Sequence, residues 1–299
     1  MAVVAVAAVV ADRSAPQTGA TVLAWSAMAV ALASAANLGL FTVKAVAQIP
    51  SVADHLGWSY RTVIDDTAHV SWAPWASAVL LAGAVVGAAR VWRRHRRGQG
   101  VAAEMDGVPD DQQVVLVESD AVDAFAVPGG TGRVVVTTAM RSALDTEQFE
   151  ALVAHERAHL DAGHPRLILI AELAGSLHPA LRWVAARVSF LIERAADEQA
   201  ARAVGDRRTV ATAIGAAALA AARHPASSAP VRIPFAARRG GAIPRRVGEL
   251  LAPQQIRGRT WGWVWGAGPV LLAASSVVWS GEALYDLVEL LRSARLPGR

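Results

Sequence analysis

The chain has 299 residues, of which 54% are hydrophobic and only 18% charged, with a mean hydropathy of +0.33 and a formal net charge of +4. This balance excludes a highly charged disordered chain and is unusual for a soluble domain, because the apolar residues are gathered into long runs. Cysteine is absent, which excludes disulfides and thiolate metal sites.

In chain order, Met1–Ala11 is apolar, short, and ends at Asp12-Arg13. It lacks the basic start and small-residue cleavage site of a signal peptide, so it reads as a short first membrane helix. The alternative is a buried or interfacial lead into the next segment. Ser14–Val43, Ser71–Ala89 and Thr260–Gly281 carry no formal charge. At about 1.5 Å rise per residue, each run can cross roughly 30 Å of hydrocarbon. Transmembrane helices are therefore expected at about 21–43, 71–91 and 260–281. Trp72, Trp75 and Trp92 lie at the ends of the second run, and Trp261 and Trp279 near those of the third, as in an interfacial belt.

Arg90, Arg93, Arg94, Arg96 and Arg97 follow the second run and place that end in the cytoplasm. The loop from Lys44 to His69 suits the outer face. Residues 1–92 then form an N-terminal membrane region, 93–259 a cytoplasmic domain, 260–281 a span leading outward, and 282–299 a tail. The arginine cluster is read as meeting anionic lipid, and no direct nucleic acid binding is expected. Lys44 is the only lysine, so the pI of 10.5 rests on arginine and singles out no partner.

Between Gln113 and Met140 the pattern turns extended. Val114–Glu118, Phe125–Val127 and the β-branched run Val134–Thr138 are strand-prone, with Pro128-Gly129-Gly130-Thr131-Gly132 as a turn. A hairpin or small sheet is expected, and the edge of Val134–Thr138 is the candidate surface for an extended peptide. Asp145 and Gln148 form a capping-box pattern that opens a helix of about 146–160. That helix carries His155-Glu156-Arg157-Ala158-His159. HExxH on a helix sets two imidazoles one turn apart on one face, the geometry zinc needs, and positions the glutamate between them to activate a water.

Zinc commonly takes a third protein ligand. Glu193 fits, 34 positions beyond His159 and reachable by a helix–turn–helix return. Asp197, one turn further, is placed to support a ligand histidine. Glu198 is a weaker ligand candidate, pointing roughly 140° away from Glu193 on a regular helix. The segment 166–192 is apolar, interrupted by Glu172, broken at His178-Pro179, and carries Arg182 and Arg187. It is read as a helical hairpin lying at the membrane surface, the alternative being a pair of helices that dip into the bilayer. His164 and the arginines of 182–194 are the candidates for a second donor to a developing oxyanion.

The stretches AFAVPGGTGRVVVTTAM (124–140), LDTEQFEALVAHERAHLDAGH (144–164) and LHPALRWVAARVSFLIERAADEQA (177–200) resemble the BlaR/MecR-type antirepressor membrane metallopeptidases and their short actinobacterial relatives. These are gluzincins related to the HtpX-type proteases, and RRVGELL (245–251) also fits the resemblance. It implies His155, His159 and Glu193 as zinc ligands, Glu156 as general base, and Asp197 as the supporting acid of an ExxxD motif. Ala196 stands where the sensor branch often has cysteine, as in the HtpX-type branch. Sensor members end in a large extracellular penicillin-binding domain, whereas only Glu282–Arg299 follow the last apolar run here, without an SxxK-type serine site. Sensing by acylation is not expected.

The expected fold class is a mostly α integral membrane protein, with a gluzincin-like zinc peptidase domain and a small β-hairpin or sheet between transmembrane helices. The expected function is endoproteolysis of a protein or peptide substrate such as a BlaI-type repressor. Membrane-protein quality control and a non-catalytic zinc-binding scaffold are the alternatives.

Overall fold

The computed structural model describes residues 14–57, 59–66, 70–104, 113–128, 132–223 and 243–252, with isolated helical residues in 1–13 and 285–293. The expected span at 260–281 lies outside the described residues, as do most of 1–11 and of the tail.

Helix α1 (Pro16–Ala47) opens with proline in its first turn, where the missing N–H costs nothing. Two short helices, α2 (Pro50–Leu56) and α3 (Tyr60–Asp66), precede α4 (Ala73–Glu104). Both α1 and α4 are long and apolar enough to cross a membrane. On α4, Trp72 just before it and Val79, Leu80 and Val85 within it are each more than half exposed. A helix in a water-soluble core would bury such residues; a lipid-facing one exposes them. The helix continues through the arginine cluster to Glu104, well past the expected end at 91. Arginine is a good helix former, so the apolar run stops there while the helix does not.

Strands β1 (Val114–Val117), β2 (Ala124–Val127) and β3 (Arg133–Thr137) form a mixed sheet of order β1-β3-β2. β1 runs parallel and β2 antiparallel to β3. β3 is central and paired on both sides, so it has no edge for a substrate, contrary to the sequence-based expectation. Its three consecutive buried valines, Val134, Val135 and Val136, suit a strand covered on both faces. The sheet edge beside the helical layer belongs to β2. Thr137 N–H donates to Asp123 O, so the antiparallel alternation turns the backbone groups of Ala124 and Ala126 outward.

A short helix α5 (Thr138–Ser142), capped by the Thr137 hydroxyl, leads to α6 (Thr146–Asp161). Helix α7 (His164–Leu177), a 3₁₀ turn (Pro179–Leu181) and α8 (Arg182–Val204) form the helical return. Helices α9 (Arg207–Arg223) and α10 (Ile243–Leu251) pack over α6 and α8.

The α7–α8 pair packs along α1 and α4. Leu23, Ala27 and Ala31 of α1 share one buried cluster with Ala171 and Ala174 of α7 and Val188 of α8. The small residues let the helix axes approach closely. Glu172, which interrupts the apolar run of α7, accepts from Arg94 of α4 at 2.5 Å, and deeper along the pair Gly87 faces Ser176. The turn at 178–181 therefore reaches past the arginine cluster, alongside the apolar part of α4.

Candidate metal centre

The centre is built where α6 crosses α8. The Asp145 side chain accepts from Gln148 N–H at 2.8 Å and Gln148 Oε1 accepts from Asp145 N–H at 3.3 Å, closing the capping box that starts α6. Three turns on, His155 and His159 point to one side, with their Nε2 atoms 3.2 Å apart. Glu193 arrives from α8 with Oε2 3.5 Å from His155 Nε2 and Oε1 3.7 Å from His159 Nε2. All three ligand atoms fall within 4.8 Å of one another.

These separations fit zinc. Two ligand atoms about 2.0–2.1 Å from a tetrahedral ion stand roughly 3.3–3.5 Å apart. Two imidazole nitrogens and a carboxylate oxygen that converge, with both rings buried, form a donor set that calls for a cation. Without one, a proton must take its place, and it resides on His155. Burial works against charging that ring, but Asp197 and Glu193 on either side prevail and lift its pKa to about 10. Burial and the charge on His155 lower His159 to about 3, so it is neutral and ready to bind. Burial also works against the carboxylates, yet His155 and Arg246 hold both Glu193 and Asp197 at about 2.

A prediction follows for the metal-free chain. Zinc must displace the His155 proton, so near pH 7.5 its uptake should release about one proton, and apparent affinity should rise roughly tenfold per pH unit until about pH 10. Calorimetry in buffers of different ionisation heat reads the proton count directly. Uptake with no proton release would mean that His155 is already neutral.

Glu156 is partly exposed beside the cluster. Its enclosed position raises its pKa to about 7, with His155 opposing and Glu193 and Asp123 adding. A carboxylate tuned to neutrality beside a metal cluster can take a proton and return it. Asp197 is buried and its Oδ1 lies 3.0 Å from Nδ1 of His155, where a carboxylate orients a ligand ring.

Two expectations are corrected. Glu198 is held bidentately by Arg207, at 2.6 and 2.9 Å, and takes no part in the centre. His164 is fully buried behind His159, with Nδ1 2.9 Å from His159 Nδ1 and Nε2 2.7 Å from Gln17 Oε1. Both ring nitrogens are engaged, so it cannot serve as an oxyanion donor. Of the arginines of 182–194, Arg194 pairs with Glu249 at 2.8 Å and Arg187 lies over the Phe190 ring.

Arg246 on α10 is the residue that sequence reasoning missed. It donates from Nε and Nη2 to Asp197 at 2.8 and 2.6 Å, and Nη1 lies 2.8 Å from Glu193 Oε2. One guanidinium thus fixes the third member of the cluster and the supporting acid together, which lysine could not do. The signal for it in the sequence is only the basic start of RRVGELL, which by itself indicates a solvated amphipathic helix.

Fold and site together define a zinc metalloendopeptidase: a helix bearing HExxH and a glutamate from a second helix that converges on its two histidines. Residues 88–229 match Peptidase family M48, and this segment contains every member of the cluster. No curated protein and no solved structure matches the chain. Gln17 and Arg246 lie on either side of the matched segment.

Proposed function

We propose that this M48-type peptidase is a multi-pass membrane protein whose active site opens to the cytoplasm, and that it acts in regulatory proteolysis of a transcriptional repressor of the BlaI type. The observation that carries the enzymatic part is the convergence of His155, His159 and Glu193 with Glu156 alongside. In this reading the three are the ligands, Glu156 is the general base and Asp197 orients His155. Zinc held there supplies Lewis-acid chemistry, acidifying water and polarising a carbonyl. Glu156 accepts the proton of the attacking water and delivers it to the leaving amine. The outward backbone groups of Ala126 and the outward carbonyl of Ala124 on β2 bind the substrate as an added strand, which reads main chain rather than side chains; the Ala124 N–H itself donates to Asp123 Oδ1 at 2.9 Å. The membrane part rests on α1 and α4 and on the arginine cluster at the end of α4.

The regulatory role is supported by the resemblance of 124–140, 144–164 and 177–200 to antirepressor peptidases. Its test is co-expression with a BlaI-type repressor encoded beside this chain. Specific cleavage by the wild type, absent with Glu156→Gln, is expected. Breakdown of many misfolded membrane proteins with the repressor left intact would instead assign an HtpX-like quality-control role.

Orientation is tested by single cysteines, for which the cysteine-free chain gives no background. Cysteines at Ala102 and Ala226 should resist an impermeant maleimide in intact cells and react after lysis, whereas one at Gly57 or Gly298 should react at once. Labelling at Ala226 before lysis would place the site outside and remove a cytoplasmic repressor as direct substrate.

A further inference from the structure

The two ligand histidines are supported differently. His155 has a carboxylate behind it, Asp197, four residues from Glu193 on the same helix. His159 has a neutral chain behind it: His159 Nδ1 to His164 Nδ1 at 2.9 Å, then His164 Nε2 to Gln17 Oε1 at 2.7 Å. That chain crosses to α1, 147 residues earlier in sequence. Helix α7 begins at His164 immediately after Gly163, whose left-handed backbone (φ 62°) reverses the chain and turns the His164 ring back onto His159.

The contacts leave little freedom in where the protons sit. An amide oxygen has only lone pairs to offer, so His164 must carry its proton on Nε2 and donate to Gln17. A neutral imidazole protonated there has its lone pair at Nδ1, so His159 must donate from its own Nδ1. His159 Nε2 is then left with a lone pair aimed at His155 and Glu193, the form that binds a metal. Turning the Gln17 amide over, so that its NH₂ faces the ring, reverses every step. His164 would donate to His159, and a neutral His159 would carry its proton on Nε2, where it blocks the metal.

We infer that Gln17, in the first turn of the apolar helix α1, is a positioning residue of the metal centre, setting the metal-binding tautomer of His159 through His164. The inference rests on the reading of His159 as a zinc ligand. It makes α1 a working part of the centre as well as its membrane neighbour. The rearrangement it describes needs no change in charge, only the orientation of one amide.

The test uses the full chain in detergent, with zinc added alone as probe. In ¹⁵N-histidine-labelled protein, long-range ¹H–¹⁵N correlation spectra assign the ring proton of each histidine, with and without metal. His164 is expected as the Nε2–H tautomer and His159 as Nδ1–H in the zinc-loaded chain. Gln17→Leu removes the acceptor and should weaken zinc binding by about 10–100-fold, the range seen when an outer partner of a ligand histidine is lost. Gln17→Glu, whose carboxylate can only accept, should keep both the tautomer and the affinity. Leu23→Ala, in the same helix but in its packed face, should lower thermal stability and leave the His164 tautomer unchanged.

An Nδ1–H tautomer of His164 in the zinc-loaded wild type, or undiminished zinc affinity in Gln17→Leu, would overturn the inference. If Gln17→Leu fails to fold, the wild-type tautomer and the Gln17→Glu rescue still decide it. Failure of the ligand reading itself shows up separately, as His159→Ala retaining zinc.

Discussion

Glu156→Gln is expected to lower kcat/KM for peptide hydrolysis by about 10²–10⁴-fold while zinc stays near one ion per chain. Glutamine has the size of glutamate and can accept a hydrogen bond, but it cannot take a proton from water. Glu156 lies outside the set of three ligand atoms, so the cluster loses none of them. Stability should not fall either. The enclosed position disfavours the charged form of Glu156, and Glu193 and Asp123 add to that repulsion, so an uncharged group relieves it. Turnover of a repressor or quenched peptide and elemental analysis of the same preparation provide the two readings. A variant with near-wild-type turnover would remove Glu156 as base and with it the proposed proton path.

The second large effect concerns the third ligand. Glu193→Ala should abolish stoichiometric zinc binding, a greater loss than the roughly 10–100-fold expected of Asp197→Ala, which removes only a supporting partner. Glu198→Ala separates ligand from bystander. It breaks the bidentate pair with Arg207 and should destabilise the contact between α8 and α9, yet leave zinc at one per chain. Arg246→Lys belongs with Asp197→Ala. The ammonium keeps the charge but cannot bridge Asp197 and Glu193 at once, so affinity should fall without being lost. Retention of full zinc by Glu193→Ala would overturn the ligand assignment.

What could be read in the sequence was what depends on neighbours along the chain. The capping box at Asp145 and Gln148 and the spacing of His155 and His159 are fixed by helix geometry alone. Glu193 and Asp197 could be proposed together because four residues make one helical turn. The strands were found because β-branched runs are local, but their order was not. The pairing of β1 with β3 joins segments separated by β2, and no alternation within a strand encodes which neighbour it takes. Arg246 and Gln17 were missed for the same reason, since each reaches the centre only through tertiary packing. His164 reads from the sequence as a candidate oxyanion donor, but the left-handed Gly163 before it sends its ring behind His159 and not toward a substrate. Glu172 looked like an interruption of an apolar segment until Arg94 was placed beside it.

The Arg94–Glu172 pair also sets a height. With Arg94 at the lipid headgroups, as the proposed topology has it, the stretch of α7 from Glu172 back to His164 rises about 12 Å toward the metal centre at 1.5 Å per residue. A peptide threaded from the same bilayer covers roughly 3.3–3.6 Å per extended residue. A substrate tethered in that bilayer therefore needs about four extended residues beyond its anchor before a peptide bond reaches the centre. Bonds closer to the lipid are out of range, and untethered proteins face no such limit. On that proposed topology the stretch of α7 from Glu172 to His164 acts as a ruler, and cleavage sites in anchored substrates should begin at its mark.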